Sequence, residues 1–214
     1  MANLLEVKDL KVDFRLEGRI VNAVKGVDLS VGNNETVVLA GESGSGKTIT
    51  ALSLTRILPP NADIVSGQVL MDGRDIIGLN EKQLSLIRGS RISYIFQEPA
   101  SYLNPVYTVG DQIAEVIVHH QGLNRKNAGI KARELLAQAR IAEADRVFAS
   151  YPHQLSGGMN QRVFIAMSLA CRPALLIADE PTTSLDVTIE AQILKLLVEL
   201  KSEMKFSLLF ITHK

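Results

Sequence analysis

The stretch ETVVLAGESGSGKT, residues 35–48, decides the fold of this chain. It begins with a short apolar run that predicts a strand buried on both faces of a sheet. The next eight residues match the pattern G-x-x-x-x-G-K-[ST] at every fixed position. In that pattern the glycines let backbone N–H groups turn inward around phosphates. The stretch therefore predicts a phosphate-binding loop between a strand and a helix, formed by Gly41, Glu42, Ser43, Gly44, Ser45, Gly46, Lys47 and Thr48.

Composition limits the class of protein. Hydrophobic residues make up 46% of the 214 residues and charged residues 21%, as in ordinary globular proteins. Lysine plus arginine and aspartate plus glutamate both count 23, so no bulk charge favours nucleic acid. The single Cys171 cannot form an internal disulfide. We expect no membrane span and no secretory signal, because no apolar run approaches about 20 residues and MANLLEVKDL lacks a basic segment before an apolar core.

Hydrophobic periodicity predicts strands that alternate with helices. Branched, apolar runs predict strands at 4–14, 23–31, 68–73, 91–96, 175–179 and 206–212. Helices are predicted from 46 to 58, before Pro59-Pro60, from about Gly157, and over 187–204. Residues 98–151 hold helix-like segments without a convincing strand. We therefore predict an α/β fold with a mainly parallel sheet, in which 1–97 and 152–214 form the core and 98–151 form an inserted helical lobe.

A second apolar strand, LLIADEP, ends in two carboxylates. Beside a phosphate loop, the first carboxylate, Asp179, is expected to hold Mg²⁺ through water, together with the Thr48 hydroxyl. Glu180 follows it and is positioned to polarise an attacking water. Lys47 is expected to reach the β- and γ-phosphates of the ligand.

The motifs GESGSGKT, IFQEP, LSGGMNQR, LLIADEP, SLD and ITH occur in this order over essentially the whole chain. Together they resemble the nucleotide-binding subunit of ATP-binding-cassette (ABC) transporters. The resemblance implies a P-loop NTPase cassette with an N-terminal antiparallel β part, which binds ATP and Mg²⁺ and hydrolyses ATP. Two longer segments resemble the importer group for oligopeptides, dipeptides or nickel: QEPASYLNPVYTVGDQI and DEPTTSLDVTIEAQIL.

The resemblance also assigns roles to single residues. Two such subunits meet head to tail, and LSGGMNQR (residues 155–162, the signature turn) of each closes over the other's nucleotide. Gln97 matches a lid glutamine that touches Mg²⁺ and the water, and His213 matches a histidine that contacts the γ-phosphate. Asp186 belongs to a loop that crosses the dimer interface, and it is also a candidate helix N-cap. Further nucleotide contacts are expected from Ser156, Gly157, Gly158 and an adenine-stacking Phe14, with Ile20 or Val21 as apolar substitutes.

The implied partners are a second nucleotide-binding subunit, identical or different, transmembrane permease subunits and, indirectly, a substrate-binding protein. The implied location is the cytoplasmic face of the membrane, as a peripheral subunit, with no nucleic-acid partner. Members of the family usually have an acidic residue after the histidine and continue further. Here Lys214 follows, so we expect a truncated chain with His213 poorly anchored.

Two other functions share the same motifs. A chromosome-maintenance ATPase carries a long coiled coil between the phosphate loop and the signature turn. The segment here is short and has no sustained heptad pattern. A regulatory cassette that binds ATP without hydrolysing it is disfavoured by Lys47, Glu180 and the intact LSGG.

Overall fold

The computed structural model describes residues 3–16, 18–98, 101–183 and 185–213. Over these residues the chain forms two four-stranded sheets and seven α-helices. This arrangement confirms the predicted α/β class, with a parallel sheet beside an antiparallel one. Within the described residues, no helix is both long and apolar enough to span a membrane.

The antiparallel sheet comes mostly from the first third of the chain. It consists of β1 (Asn3–Leu16), β2 (Arg19–Gly32), β4 (Ala62–Met71) and β5 (Arg74–Asp75), in the order β2-β1-β4-β5. β1 and β2 follow each other closely along the chain and pair antiparallel over almost their whole length. Their inward side chains form one apolar cluster with β4 and with the apolar face of the parallel sheet.

The parallel sheet positions the candidate site. It consists of β3 (Thr36–Ala40), β6 (Ile92–Ile95), β7 (Leu175–Asp179) and β8 (Ser207–Thr212), in the order β3-β8-β7-β6. The strands are in register, so Ala40, Thr212 and Asp179 reach the same edge of the sheet. In open parallel sheets, ligands bind outside the carboxyl ends of the strands.

The prediction that β3 is buried on both faces was wrong. Thr36, Val38 and Ala40 are exposed, and Val38 shows 57% of its surface to solvent. β3 is the edge strand of the described sheet, with β8 as its neighbour, so it is less covered than the central β7. β7, in contrast, is buried at all five positions, as its apolar run predicts.

The helix after the phosphate loop, α1 (Lys47–Ser53), is shorter than predicted. It ends in a turn where Arg56 takes a left-handed φ of 55° and the Ile57 N–H donates to the Leu52 carbonyl at 3.0 Å. A hydrogen bond from residue i+5 back to residue i is typical of a Schellman motif at a helix C-terminus. The left-handed residue of this motif is usually glycine. The prolines at 59 and 60 therefore lie beyond the true end of the helix.

A further helix, α2 (Glu81–Ile87), is absent from the predicted pattern. Asn80 and Gln83 form its capping box, in which each side chain bonds the backbone N–H of the other residue. The spacing N-x-x-Q was therefore the available sequence signal. The other core helices, α6 (Gly157–Ser168) and α7 (Val187–Met204), begin where predicted.

The middle of the chain forms three helices: α3 (Val109–Gln121), α4 (Arg125–Gln138) and α5 (Ala144–Ala149). A 3-10 turn at Pro152–Gln154 leads from them to α6. Their buried side chains belong to one apolar cluster that continues through α6 to α7. The lobe is thus packed directly onto the helix that begins at the signature turn. The apolar face of α7 packs into the same cluster, as predicted, through Ile189, Ile193, Leu196, Leu197 and Leu200.

Candidate functional site

The phosphate loop lies between β3 and α1, as predicted. The Lys47 side chain folds back across the loop, and its Nζ donates to the carbonyl oxygens of Gly41 and Glu42 at 2.7 and 2.8 Å. Only 8% of Lys47 is exposed, so its charge is held within the loop. Such a buried, oriented ammonium suits a phosphate ligand, because little side-chain freedom remains to be lost on binding.

One glycine of this loop is required by geometry. Gly46 has φ of +92°, a backbone conformation that residues other than glycine rarely adopt. A Cβ atom at this position would lie 2.6 Å from the backbone carbonyl oxygen of Ala23 in β2. The loop is therefore packed directly against the antiparallel sheet, and the packing leaves no room for a larger residue.

A cleft of about 460 Å³ opens over the phosphate loop. Three residues predicted from separate motifs, Gln97, Glu180 and His213, share it with the loop. They meet because each follows a strand of the parallel sheet at the same edge. The described residues that line it are Ala23, Ser43, Gly44, Gly46, Lys47, Thr48, Ile49, Gln97, Glu180, Thr183 and His213.

Asp179 lies beneath this cleft and is 5% exposed. Burial raises the pKa of its carboxyl group, and the charge of Glu180 acts in the same direction. A hydrogen bond from Thr48 and the charge of Lys47 oppose the rise in the pKa. The Oδ1 atom has no hydrogen-bond partner among the described residues. Burying an acceptor without a hydrogen-bond partner costs free energy. A cation or its bound water would supply the missing partner.

Glu180 is tightly constrained. Its backbone has φ of +45°, and its N–H donates to the Ile211 carbonyl at 3.1 Å. Its Oε2 atom lies 2.9 Å from Nδ1 of His213 and accepts a hydrogen bond from the Thr183 hydroxyl at 2.9 Å. His213 is therefore in direct contact with the candidate base, whereas the sequence led us to expect a poorly anchored side chain.

The signature turn lies elsewhere. Ser156 caps α6 by accepting a hydrogen bond from the Met159 N–H at 3.3 Å, and both Ser156 and Gly157 are exposed. A Cβ atom on Gly158 would lie 2.9 Å from Cγ2 of Ile189, so the start of α6 packs against the start of α7. None of these three residues is among the described residues that line the cleft.

Asp186 caps α7 and accepts a hydrogen bond from the Ile189 N–H at 2.9 Å. It is exposed and, like the signature turn beside it, does not line the described part of the cleft. Its predicted capping role is confirmed, and its role at an interface stays a prediction. Position 184, the first residue of the SLD motif, lies outside the described residues.

The structure places Phe14 in β1, half-buried against the apolar cluster of the antiparallel sheet. It pairs with Val21 of β2, which is exposed, as is Ile20. Phe14, Ile20 and Val21 do not line the described part of the cleft, although Ala23 of β2 does. Adenine stacking on Phe14 therefore stays a prediction.

Three residues of the cleft, Ala23, Ile49 and Thr183, were missed from the sequence. Ala23 lies more than 15 residues before the phosphate loop and has no chemically distinctive side chain, so no motif marks it. Thr183 follows the carboxylate pair closely, but a threonine in a turn is common and does not by itself indicate a contact with Glu180.

Comparison with known proteins places these features in a family. The model of the family described as ABC transporter matches residues 24–183. A probable peptide ABC transporter ATP-binding protein from Sinorhizobium fredii is 50% identical over 98% of this chain and 63% of its own length. The glutathione import ATP-binding protein GsiA of Salmonella typhi is 50% identical over 99% of this chain and 35% of its own length.

The fold agrees with solved cassettes. A dimeric ATP-binding cassette, solved in a post-hydrolysis state with ADP and Pi, superposes with a TM-score of 0.86 at 28% identity. The superposition covers 98% of this chain and 88% of the cassette. The chain spans between about one third and two thirds of the length of the curated relatives it matches. The family match and the motif geometry agree, and the chain belongs to the ABC transporter family.

Proposed function

We propose that this chain binds and hydrolyses ATP to power an ABC importer whose substrates are peptide-like. The observation that carries the proposal is the meeting of the phosphate loop, Gln97, Glu180 and His213 in one cleft. The names of the two relatives, a probable peptide transporter subunit and a glutathione import subunit, support the substrate class. The neighbouring cassette with bound ADP and Pi supports hydrolysis.

The cleft provides the groups that hydrolysis of ATP requires. Lys47 and the loop N–H groups bind the phosphates and hold the γ-phosphorus in front of Glu180. A water forms the new O–P bond, the bond from the γ-phosphorus to the bridging oxygen breaks, and Glu180 accepts the proton of the water. ADP and inorganic phosphate are the products. His213 contacts both the base and the open cleft, so it is placed to bond a γ-phosphate oxygen.

The same cleft fits Mg²⁺. The ion favours oxygen ligands and few protein groups, with phosphate oxygens and water completing its shell. Thr48, Gln97 and Asp179 would hold it, and the unpartnered Oδ1 of Asp179 supports this assignment. Among the described residues, no three His, Cys, Asp or Glu side chains cluster to bind a metal by themselves, so the nucleotide must contribute ligands. When bound, the ion would neutralise charge on the phosphates.

The signature turn acts across a dimer. Ser156 and Gly157 are exposed at the start of a 12-residue helix, outside the described lining of this chain's own cleft. A helix N-terminus favours an anion, so the turn suits the γ-phosphate held by a second subunit. Asp186 begins the adjacent helix and would face the same partner. The solved dimeric cassette supports this arrangement.

The lobe of residues 98–151 connects the site to the membrane. Phe96, directly before Gln97, stacks on Tyr102 with a ring-centroid distance of 4.5 Å, and both rings contact Phe164 of α6. A γ-phosphate that moves Gln97 would therefore move the aromatic contacts between the lobe and the core. We place the chain as a peripheral subunit on the cytoplasmic face, with permease subunits against the lobe and a substrate-binding protein supplying them.

Two alternatives receive less support. In the described residues, the helices between the phosphate loop and the signature turn have at most 14 residues, far short of the coiled coil in chromosome-maintenance ATPases. A purely regulatory cassette has no use for a base held in the cleft by two side chains. The names of the relatives also favour import.

Phosphate release by the full-length protein tests the proposal. The parent is expected to hydrolyse ATP, and Lys47→Ala to lose most affinity for ATP in titration calorimetry, because its ammonium faces the β- and γ-phosphates. Lys195→Ala, which removes an exposed lysine of α7, is the matched control and should bind as the parent does. A parent without ATP binding, or a Lys47→Ala variant with unchanged affinity, would overturn the proposal.

A further inference from the structure

The hydroxyl of Thr183 is bonded to the candidate base. Its Oγ1 donates to Oε2 of Glu180 at 2.9 Å, and Thr183 itself lines the nucleotide cleft. Neither the phosphate loop nor the predicted catalytic set includes this residue. The contact therefore calls for a role beyond that of a turn residue.

The two oxygens of the Glu180 carboxylate are used differently. Oε2 lies within 2.9 Å of both the Thr183 hydroxyl and Nδ1 of His213. A carboxylate only accepts hydrogen bonds, so the imidazole must present an N–H at Nδ1. Among the described residues, Oε1 accepts no such bond. One oxygen is thus anchored by two donors, and the other is open to take a proton from water.

The backbone makes the Thr183 contact a rigid one. Residues 180–183 form a tight turn, in which the Thr183 N–H donates to the Glu180 carbonyl at 3.3 Å. Pro181 fixes one φ angle inside this turn, and Glu180 holds a left-handed φ of +45° at its start. The next residue back, Thr182, ties the turn to α7 through a bond of 3.1 Å to Glu190. The hydroxyl of Thr183 is therefore held in place before any nucleotide binds.

We propose that Thr183 is a positioning residue, whose hydroxyl fixes the Glu180 carboxylate so that Oε1 faces the attacking water. The inference rests on the proposed function, since it concerns the base of that reaction.

Two substitutions separate the hydroxyl from the shape of the side chain. Thr183→Val is nearly isosteric and removes the donor, whereas Thr183→Ser keeps it. In the full-length protein, Thr183→Val should lower kcat for ATP roughly 10-fold or more, the usual effect of losing one bond to a charged group. KM for ATP should stay within about twofold, because the hydroxyl acts on the base and not on ground-state nucleotide binding.

Thr183→Ser should recover most of the parent kcat. Thr188→Val makes the same chemical change at an exposed position of α7 and is the matched control. Crystal structures of the ligand-free variants provide a readout other than activity. The Glu180 carboxylate should keep one conformation in the parent and in Thr183→Ser, and take several in Thr183→Val.

The outcomes distinguish this inference from the proposed function. A parent that does not hydrolyse ATP would overturn the proposed function, and the inference with it. A parent that does, with Thr183→Val at an unchanged kcat, would overturn the inference alone. So would a Thr183→Ser variant as impaired as Thr183→Val, because the hydroxyl would then not be the group that matters. Thermal unfolding checks that each variant is folded.

Discussion

The Nδ1 atom of His213 lies 2.9 Å from Oε2 of Glu180, although 33 positions separate the two residues. They meet because β7 and β8 are neighbouring parallel strands, paired in register at Asp179 and Ile211. Each strand ends at the same edge of the sheet, and the residue that follows points into the cleft. The contact places the proposed base beside a polar group that we propose also bonds a phosphate.

Glu180→Gln tests the assigned base. The amide is nearly isosteric, and its oxygen can still accept from Thr183 and His213, but it takes no proton from water. We expect ATP affinity to remain and phosphate release to fall about 100-fold or more. The full-length variant should then accumulate as an ATP-bound dimer, seen as a doubling of mass in light scattering.

An unchanged rate of phosphate release in Glu180→Gln would move the base to another residue. Glu203→Gln is a comparison on α7, because Glu203 is exposed there and lies far from the turn that holds Glu180. It should leave the rate within about twofold of the parent after correction for folded protein.

Gly46→Ala tests the packing of the phosphate loop against β2. The added Cβ would lie 2.6 Å from the Ala23 carbonyl oxygen, and φ of +92° is strained for alanine. We expect a loss of roughly 2–4 kcal/mol in the free energy of unfolding and a loss of ATP binding. Chemical denaturation and titration calorimetry measure the two effects.

Gly73→Ala isolates the strain from the clash. Gly73 has φ of +76° in the turn between β4 and β5, and a Cβ there meets no atom within 4 Å. Its cost should be about 1 kcal/mol, with ATP binding intact. Equal losses in the two variants would show that the contact with Ala23 contributes nothing to stability.

Much of this site was predictable because its residues carry their chemistry in short motifs. Gly41, Lys47 and Thr48 stand at fixed spacing, and Asp179 and Glu180 end an apolar run, so strand ends alone bring them together. The same reasoning could not find the contact of Thr183 with Glu180, which depends on the rotamers of two side chains in one turn.

The failures have physical causes as well. β3 has the apolar composition of a central strand, but its place at the edge of the described sheet depends on strand order, which composition does not encode. The early end of α1 depends on a left-handed arginine at position 56, where the usual signal is glycine. The adenine contact of Phe14 stays a prediction, because the β-bulges in β1 make counting along its register unreliable.

Asp179→Asn tests the cost of holding a carboxylate ready for Mg²⁺. Burial raises the pKa of Asp179, so the folded, ligand-free chain disfavours the ionised form. Removing the charge should stabilise this form at pH 7, which is measured as a rise in Tm. Adding Mg²⁺ with ATP should raise the Tm of the parent, and this rise should be absent in the variant.

The pH dependence has a defined sign. The pKa of Asp179 is higher in the folded than in the unfolded chain. The destabilisation caused by its buried charge is therefore complete above the folded pKa and disappears below the unfolded pKa. The gap in Tm between Asp179→Asn and the parent should therefore shrink as the pH falls from 7 towards 4. A gap that widens on acidification would contradict the burial argument.

Ser156→Arg tests whether the signature turn acts on a second subunit. Ser156 is exposed and lies outside the described lining of the cleft in its own chain, so a bulky cation there should leave the ATP affinity of the single subunit within about twofold. It should abolish the ATP-dependent dimer and hydrolysis, because the arginine would occupy the space meant for the partner's γ-phosphate. Nucleotide affinity is measured by titration, and dimer mass by light scattering with Mg²⁺ withheld to block turnover.

Ser202→Arg provides the matched control for added size and charge, since Ser202 is exposed near the end of α7 and lies outside the signature turn. It should dimerise as the parent does. Lost affinity in monomeric Ser156→Arg would mean that the turn serves its own chain's nucleotide, and an intact dimer would place Ser156 away from the interface. Both results would contradict action in trans, because that role requires the exposed turn to meet a phosphate which its own chain does not hold.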